Sequence, residues 1–227
     1  MLVLGIETAT ARGSVALVGP GGVVGARAAH VPGGHLEWLI PAVEDLLRAT
    51  GIAPSGVEGL AVSIGPGGFT GLRIGVMTAV AWAAAAGRRV VGVSTLETIA
   101  AALAHQGLVV VALDARRGQV AAAVFRLGDG GPQRLTPDLL VHPAELAAHL
   151  PSTDATVLLA GDALERHAGA LVAALGPRAA VAPQEHWWPR AEVTAALGRA
   201  RLTAGDADDP IRLVPRYARP PVPAWPP

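Results

Sequence analysis

A chain of 227 residues, 51% of them hydrophobic, carries ample apolar side chain for one large domain or two small ones. Its formal net charge is zero and only 16% of its residues are charged, so composition gives no electrostatic case for tight autonomous binding to nucleic acid or an anionic membrane. Cysteine is absent and all 18 basic residues are arginine, which removes disulfides, thiolate metal sites and the lysine with which a Walker A loop reaches its phosphates.

The opening Met1-Leu2-Val3-Leu4-Gly5-Ile6 has no basic n-region and meets Glu7 before an apolar h-region can form, so it does not read as a signal peptide. The most apolar window, 76–86, is closed by Gly87-Arg88-Arg89 and reads as too short to span a bilayer, which points to a cytoplasmic protein. Strands are predicted over 2–7, 13–18 and 23–29, an antiparallel meander with Gly19-Pro20-Gly21-Gly22 as its second turn. Leu36, Leu39, Ile40, Val43, Leu46 and Leu47 then recur at helical spacing until Gly51 ends the run. Pro41 inside that run removes an N–H and predicts a kink.

A buried strand over 59–63 leads into Gly65-Pro66-Gly67-Gly68-Phe69-Thr70-Gly71, and a nearly all-apolar helix over 70–86 follows. Glycines permit positive φ and the close approach of another group, and Thr70 is placed to cap the helix. Two readings stand here: a helix start that holds a phosphate, or a tight turn and nothing more. A dinucleotide fingerprint does not fit, because Phe69, Thr70 and Leu72 stand where its third glycine belongs. A short strand over 90–93 precedes a helix over 95–104, with Ser94 as its cap and Glu97 in its first turn.

The order then repeats. Strands are predicted over 108–114 and 119–127, a third within 133–141, a short helix over 143–150, a strand over 157–160, a Gly161-Asp162 turn and a helix over 164–175. Two β-β-β-α-β-α halves imply an internal duplication. They predict the α/β, actin-like (ASKHA) fold, in which two ribonuclease-H-like halves face each other across a cleft, here divided as 1–105 and a smaller 106–227. A last helix over 189–202 and a proline-rich tail over 215–227, with Tyr217 and Trp225, complete the chain.

Leu4-Gly-Ile-Glu-Thr-Ala-Thr, His35-Leu-Glu-Trp-Leu-Ile-Pro, Gly65-Pro-Gly-Gly-Phe-Thr-Gly-Leu-Arg-Ile-Gly, Val93-Ser-Thr-Leu-Glu, Asp114-Ala-Arg-Arg-Gly and Pro215-Arg-Tyr-Ala-Arg-Pro follow one another in the chain. In content and order they resemble the TsaB (YeaZ) family, the dimerisation subunit of the bacterial machinery that makes threonylcarbamoyladenosine in tRNA. The resemblance covers most of the chain and is most specific at the glycine-rich motif. It departs at Glu7, where the family usually has Asp, at Gly68, where it usually has Ser, and at Gln119 and Ala121, where it tends to have Glu and Tyr. These departures weaken acid catalysis at those positions and leave the architecture alone.

What the resemblance implies is a non-catalytic subunit, without cofactor or metal, that dimerises with the catalytic threonylcarbamoyltransferase subunit (TsaD) and works with a small ATPase subunit (TsaE). It would meet tRNA indirectly through that complex, support the t6A37 modification of tRNAs that read ANN codons, and pair with itself when alone. Relatives that do the chemistry bind a metal through paired histidines on the helix matching 95–104; here that segment has none, and His105 comes only after it.

No two of the seven histidines have His-x-x-x-His spacing, which leaves a metalloprotease without its ligands. Glu7 and Asp114 end corresponding strands, where actin-like phosphotransferases place carboxylates for Mg²⁺ and for the attacking nucleophile, so an autonomous ATP-dependent phosphotransferase is the alternative reading. Against it, Thr8-Ala9-Thr10-Ala11-Arg12-Gly13 is too spare for a phosphate-binding hairpin. Two carboxylates are also too few for ribonuclease-type two-metal chemistry. Arg88-Arg89 and Arg116-Arg117 read as solvated pairs or as phosphate contacts, and Trp187, Trp188 and Trp225 as packing or interface anchors.

No catalytic residue is assigned. Gly65, Pro66, Gly67, Gly68, Thr70 and Arg73 are assigned to a structural loop. Gly71, Gly75, Thr78 and Trp82 fall on one stripe of the helix 70–86, and with His35, Trp38 and Ala42 of the preceding helix they are the expected partner interface.

Overall fold

The computed structural model describes residues 1–219, and Trp225 with the rest of the tail lies outside them. Strands β1 (Val3–Glu7), β2 (Arg12–Gly19) and β3 (Gly22–His30) form the expected antiparallel meander. Then α1 (His35–Thr50) leads to β4 (Gly59–Gly65) and α2 (Phe69–Ala86) to β5 (Arg89–Ser94), and the five strands stand in the order β3-β2-β1-β4-β5. The strands β1, β4 and β5 run parallel. Helices cover both faces of this sheet, which is why β1 and β4 are buried along their whole length and read as unbroken apolar runs. Gly51, at φ 68, ends α1 in the left-handed cap that a Cβ would strain.

After α3 (Thr95–Ala101) the second half contains β6 (Gly107–Asp114), β7 (Val120–Gly128), β8 (Gly131–Arg134), β9 (Leu139–Val141), β10 (Val157–Ala160), α4 (Leu164–Leu175) and β11 (Ala179–Val181). Its order, β11-β10-β6-β7-β8, repeats the first sheet strand for strand, so the duplication read from the sequence is present in the topology. The strand expected over 133–141 is two strands, both on β7. Pro137 lies between them and cannot donate to a ladder, and the Thr136 hydroxyl there accepts the Val124 N–H at 3.0 Å. Residues 143–149 are 3-10 helix, and β11 is too short a run to signal a strand in the sequence.

Two expectations are corrected. The helix α2 has 18 residues and a mean hydropathy of 1.4, so by length and composition it is long enough to cross a bilayer, unlike the window 76–86. It is nevertheless the crossover of the parallel β4–β5 pair, with Val76, Ala79 and Ala83 in the first core. The caps also differ. Gly68, not Thr70, is the N-cap of α2, and the Ser94 hydroxyl at the N-cap of α3 accepts from Arg134 Nη2 at 2.8 Å without bonding to its own helix.

The span 106–227 does not stay on one sheet. Its last helix, α5 (Ala191–Thr203), crosses back and lies on the face of the first sheet opposite α1 and α2. Glycine makes that approach possible: Gly5 of β1 faces the Ala191 carbonyl and Ala195, and Gly198 faces Ala61 and Val91, where a Cβ would collide. A further apolar cluster joins the halves, with Leu96, Ile99 and Ala100 of α3 against Val109, Val111 and Leu113 of β6 and Phe125 of β7.

Candidate functional site at the junction of the halves

Along β1, Leu4 and Ile6 face α1 and α2, while Val3, Gly5 and Glu7 alternate onto the α5 face. Glu7 is fully buried there. Its Oε1 accepts the Ala9 N–H at 2.9 Å and its Oε2 accepts from the Thr194 hydroxyl of α5 at 3.3 Å. Buried hydroxyls surround it, Ser63 and Thr95 at 2.7 Å from each other and Thr98 at 3.4 Å from Thr194. Burial pushes the Glu7 carboxyl up from 4.5 to about 7, and hydrogen bonds from Ala9, Ser63 and Thr194 offset only part of that. A carboxyl at that value suits proton transfer only where a substrate reaches it, and the first turn of α5 closes the way.

Asp114 ends the corresponding strand but faces the other layer. It shares its side with Leu108, Val110 and Ala112, against α4, which lies on the second sheet as α2 lies on the first. Its Oδ1 accepts the Arg116 N–H at 2.8 Å, and Arg116, Arg166 and His167 bring side-chain nitrogens to 3.5, 3.6 and 3.6 Å. Its own N–H donates to Asp162 Oδ1 at 2.9 Å, and burial, with the Asp114 charge adding to it, pushes Asp162 up to about 6. The two acids that sequence reading paired are therefore on opposite layers of their sheets. Asp162, Arg166 and His167 were not singled out in the sequence. The duplication held the signal, because the turn after β10 matches the glycine turn after β4.

The glycine loop serves the chain's own packing. The Gly68 N–H donates to the Ala9 carbonyl at 2.7 Å, and Gly71 and Gly75 lie against Thr8, whose hydroxyl donates to the Gly71 carbonyl at 2.8 Å. Of the two readings of this turn, packing is the one these contacts support.

A strap of residues 213–219 crosses the mouth of the loop. The Arg216 N–H donates to the Ile64 carbonyl at 2.6 Å, and Gly65, at φ 117, leaves room for the Arg216 carbonyl. Phe69 and Tyr217 stack with centroids 4.8 Å apart; Arg73 lies over the Phe69 ring at 4.1 Å and donates to the Tyr217 hydroxyl at 2.9 Å. Arg219 then reaches the second half, donating to the Ala115 and Arg116 carbonyls and to Gln119 Oε1 at 3.3, 3.0 and 2.8 Å. The motifs at 65–73, 114–119 and 215–219 thus meet in one place, with Gln119 as the strap's acceptor.

The expected partner stripe lies largely inside the fold. Gly71 and Gly75 face Thr8, and Ala42 is in the core. His35 is buried with Nε2 2.8 Å from the Thr10 carbonyl, and Trp38 covers Gly13 of β2. Thr78 and Trp82 are half-buried, Trp82 packing on the first core. Apart from Phe69 (50% exposed), which stacks under the strap, the outward apolar side chains of these two touching helices are instead Leu36 (68%) and Ile40 (47%) on α1 and Met77 (61%) on α2. Leu36 and Ile40 therefore leave the core stripe in which their spacing placed them.

Two sheets of one repeated topology, joined through α3 and the strap, define an α/β protein of the actin-like (ASKHA) class. The ROK hexokinase of Thermus thermophilus shares that fold alone, at 12% identity and a TM-score of 0.52 over 89% of this chain and 100% of that one. The family model described as TsaD, tRNA N6-adenosine threonylcarbamoyltransferase, matches residues 8–176. A Bacillus subtilis protein named tRNA threonylcarbamoyladenosine biosynthesis protein TsaB is 31% identical over 96% of this chain and 94% of its own length. The solved YeaZ from Pseudomonas aeruginosa is 27% identical, with a TM-score of 0.83 over 95% of this chain and 99% of that one. The chain belongs to the TsaB (YeaZ) family, within the sequences that the threonylcarbamoyltransferase model describes.

Proposed function

We propose that this chain is a non-catalytic, activating subunit of the assembly that makes threonylcarbamoyladenosine in tRNA, and that it acts by pairing with the transferase subunit, TsaD. The name of the Bacillus subtilis relative supports the process, and the description of the matching family model supports the partner. The observation that carries the non-catalytic reading is the closed junction. Glu7 is sealed under α5, the loop amide of Gly68 is taken by Ala9, and the strap runs from Gly65 to Gln119 across the place where a substrate would enter. Hinged actin-like kinases close their domains around a ligand, whereas here an apolar cluster and a strap already hold the halves together.

The pairing surface in this reading is the outer face of α1 and α2, centred on Leu36, Ile40 and Met77 with Trp38, Thr78 and Trp82 at its margin. An exposed apolar patch of this kind marks an association site. The same face makes the homodimer when the chain is alone. The small ATPase TsaE, tRNAs that read ANN codons and a cytoplasmic setting belong to the same proposal, as does a division of the sheet-forming chain near residue 105.

The test is reconstitution with the transferase subunit, the small ATPase, ATP, a preformed activated threonylcarbamoyl donor and tRNA. Modification is expected only when this chain and the transferase are both present, and calorimetry of the chain with Mg²⁺-ATP should show weak or no binding. Transfer catalysed by the chain alone would overturn the reading.

A further inference from the structure

Six arginines gather at the junction in a chain whose formal charge is zero. Arg73 bonds Tyr217 and Arg219 bonds the Arg116 carbonyl, while Arg116 and Arg166 share Asp114; Arg117 and Arg216 are the sequence neighbours of Arg116 and Tyr217. The carboxylates among them are Asp114, Asp162 and Glu165; Asp162 accepts the Asp114 N–H, and Asp114 accepts the Arg116 N–H with one oxygen while its other faces the Arg116 and Arg166 side chains, one carboxylate against two exposed guanidinium groups. Arg116 and Arg117 sit at φ 61 and 54, a left-handed turn that side chains rarely adopt and that holds both outward and exposed. Neither Arg117 nor Arg216 has a side-chain hydrogen bond or ion pair among the described residues, and both are exposed. Beside them Phe69, 50% exposed, stacks on Tyr217.

Guanidinium forks match phosphate oxygens, and a half-exposed aromatic pair offers its remaining ring surface to an unpaired base by stacking. An acidic peptide would use the first group and not the second, and a duplex keeps its bases from the rings. Zero net charge argues only against long-range attraction; contact with phosphates depends on the local cluster. We propose that this ridge binds a single-stranded RNA segment, its phosphates on Arg116, Arg117, Arg166 and Arg216 and an unpaired base at the Phe69–Tyr217 stack. The proposal rests on the assigned role in tRNA modification and deepens it, giving this subunit a direct contact with the RNA.

Fluorescence anisotropy of the full chain decides it, with a labelled RNA single strand of roughly 12 nucleotides, the same strand annealed to its complement, and polyglutamate as a competitor. The single strand should bind best. The double variant Arg117→Ala, Arg216→Ala should bind several-fold more weakly, and its log K against log salt slope should fall by about 1.4, roughly 0.7 for each lost phosphate. In the reconstituted assembly it should raise KM for tRNA with kcat unchanged, and should elute with the transferase as wild type does. Arg166→Ala is the second variant should the first not fold, with a slope change of about 0.7. Unchanged affinity and slope, or equal binding of duplex or polyglutamate, would overturn the ridge. Complex formation is read separately, so a wild-type chain that fails to pair counts against the scaffold role while RNA binding still decides this site.

Discussion

Burial keeps a proton on Glu7 up to about pH 7, while the unfolded chain releases it near 4.5. Between those values the folded state carries more protons than the unfolded one, so stability falls as pH rises. The whole difference corresponds to roughly 3 kcal/mol. Glu7→Gln keeps an acceptor for the Ala9 N–H and carries no charge, so it should lack this decline. Asp162, pushed up from 3.8 to about 6, adds a decline over a lower range to both proteins and cancels in the comparison. Urea unfolding at about pH 5 and about pH 8 checks this: the variant should gain roughly 2–3 kcal/mol on wild type between the two. An identical pH response would remove the buried-acid account. A second residue-scale effect concerns Gly75, where a Cβ would meet the Thr8 hydroxyl. Gly75→Ala should therefore lower stability by about 1–3 kcal/mol through overpacking. The check is a lower thermal midpoint together with unaltered pairing in the protein that remains folded; lost pairing at full stability would return Gly75 to the interface.

At the scale of the element, α1 and α2 differ in what each presents to solvent. Leu36→Glu with Met77→Glu replaces two exposed side chains, so the fold should change by no more than about 0.5 kcal/mol. Co-elution with the transferase subunit should be lost. Ala42→Glu, by contrast, puts a charge into the first core and should unfold the half that holds it. If the double variant still pairs at wild-type affinity, the interface is elsewhere. The two helices also show what sequence could tell. The spacing of Leu39, Val43, Leu46 and Leu47 and the stop at Gly51 made α1 legible. Its apolar set was wider than one face of a sheet can cover, which put Leu36 and Ile40 on the wrong side. In α2 every side is apolar, so periodicity found the helix and could not orient it. The strap was hidden for another reason: Arg219 and Arg216 bond backbone carbonyls and a glutamine far away in sequence, and such contacts leave no pattern in either chain segment.

For the whole molecule, duplication explains why the halves were recognisable, whereas the crossing of α5 and the strap between them left no pattern in the sequence. The repeat fixes two sheets of the same order, but α5 packs on the first sheet and the strap bonds both Ile64 and Gln119, which ties the second half to the first. The cluster around α3 does the same from the middle, burying Leu96 and Ile99 against β6 and β7. With the halves tied in this way the chain should unfold as one cooperative unit, as a single domain does, in contrast to two domains on a hinge. Ile99→Ala should cost about 2–5 kcal/mol, the range for emptying a packed site. That loss should lower the hydrogen-exchange protection of β1 and of β6 by the same amount, because neither sheet stays folded without the other. Fluorescence and far-UV circular dichroism should likewise report coincident urea transitions for wild type and variant. If the loss is confined to one sheet, or the transitions separate, the halves move independently; the closed junction would then open in solution, and the case for a rigid, non-catalytic partner would fail with it.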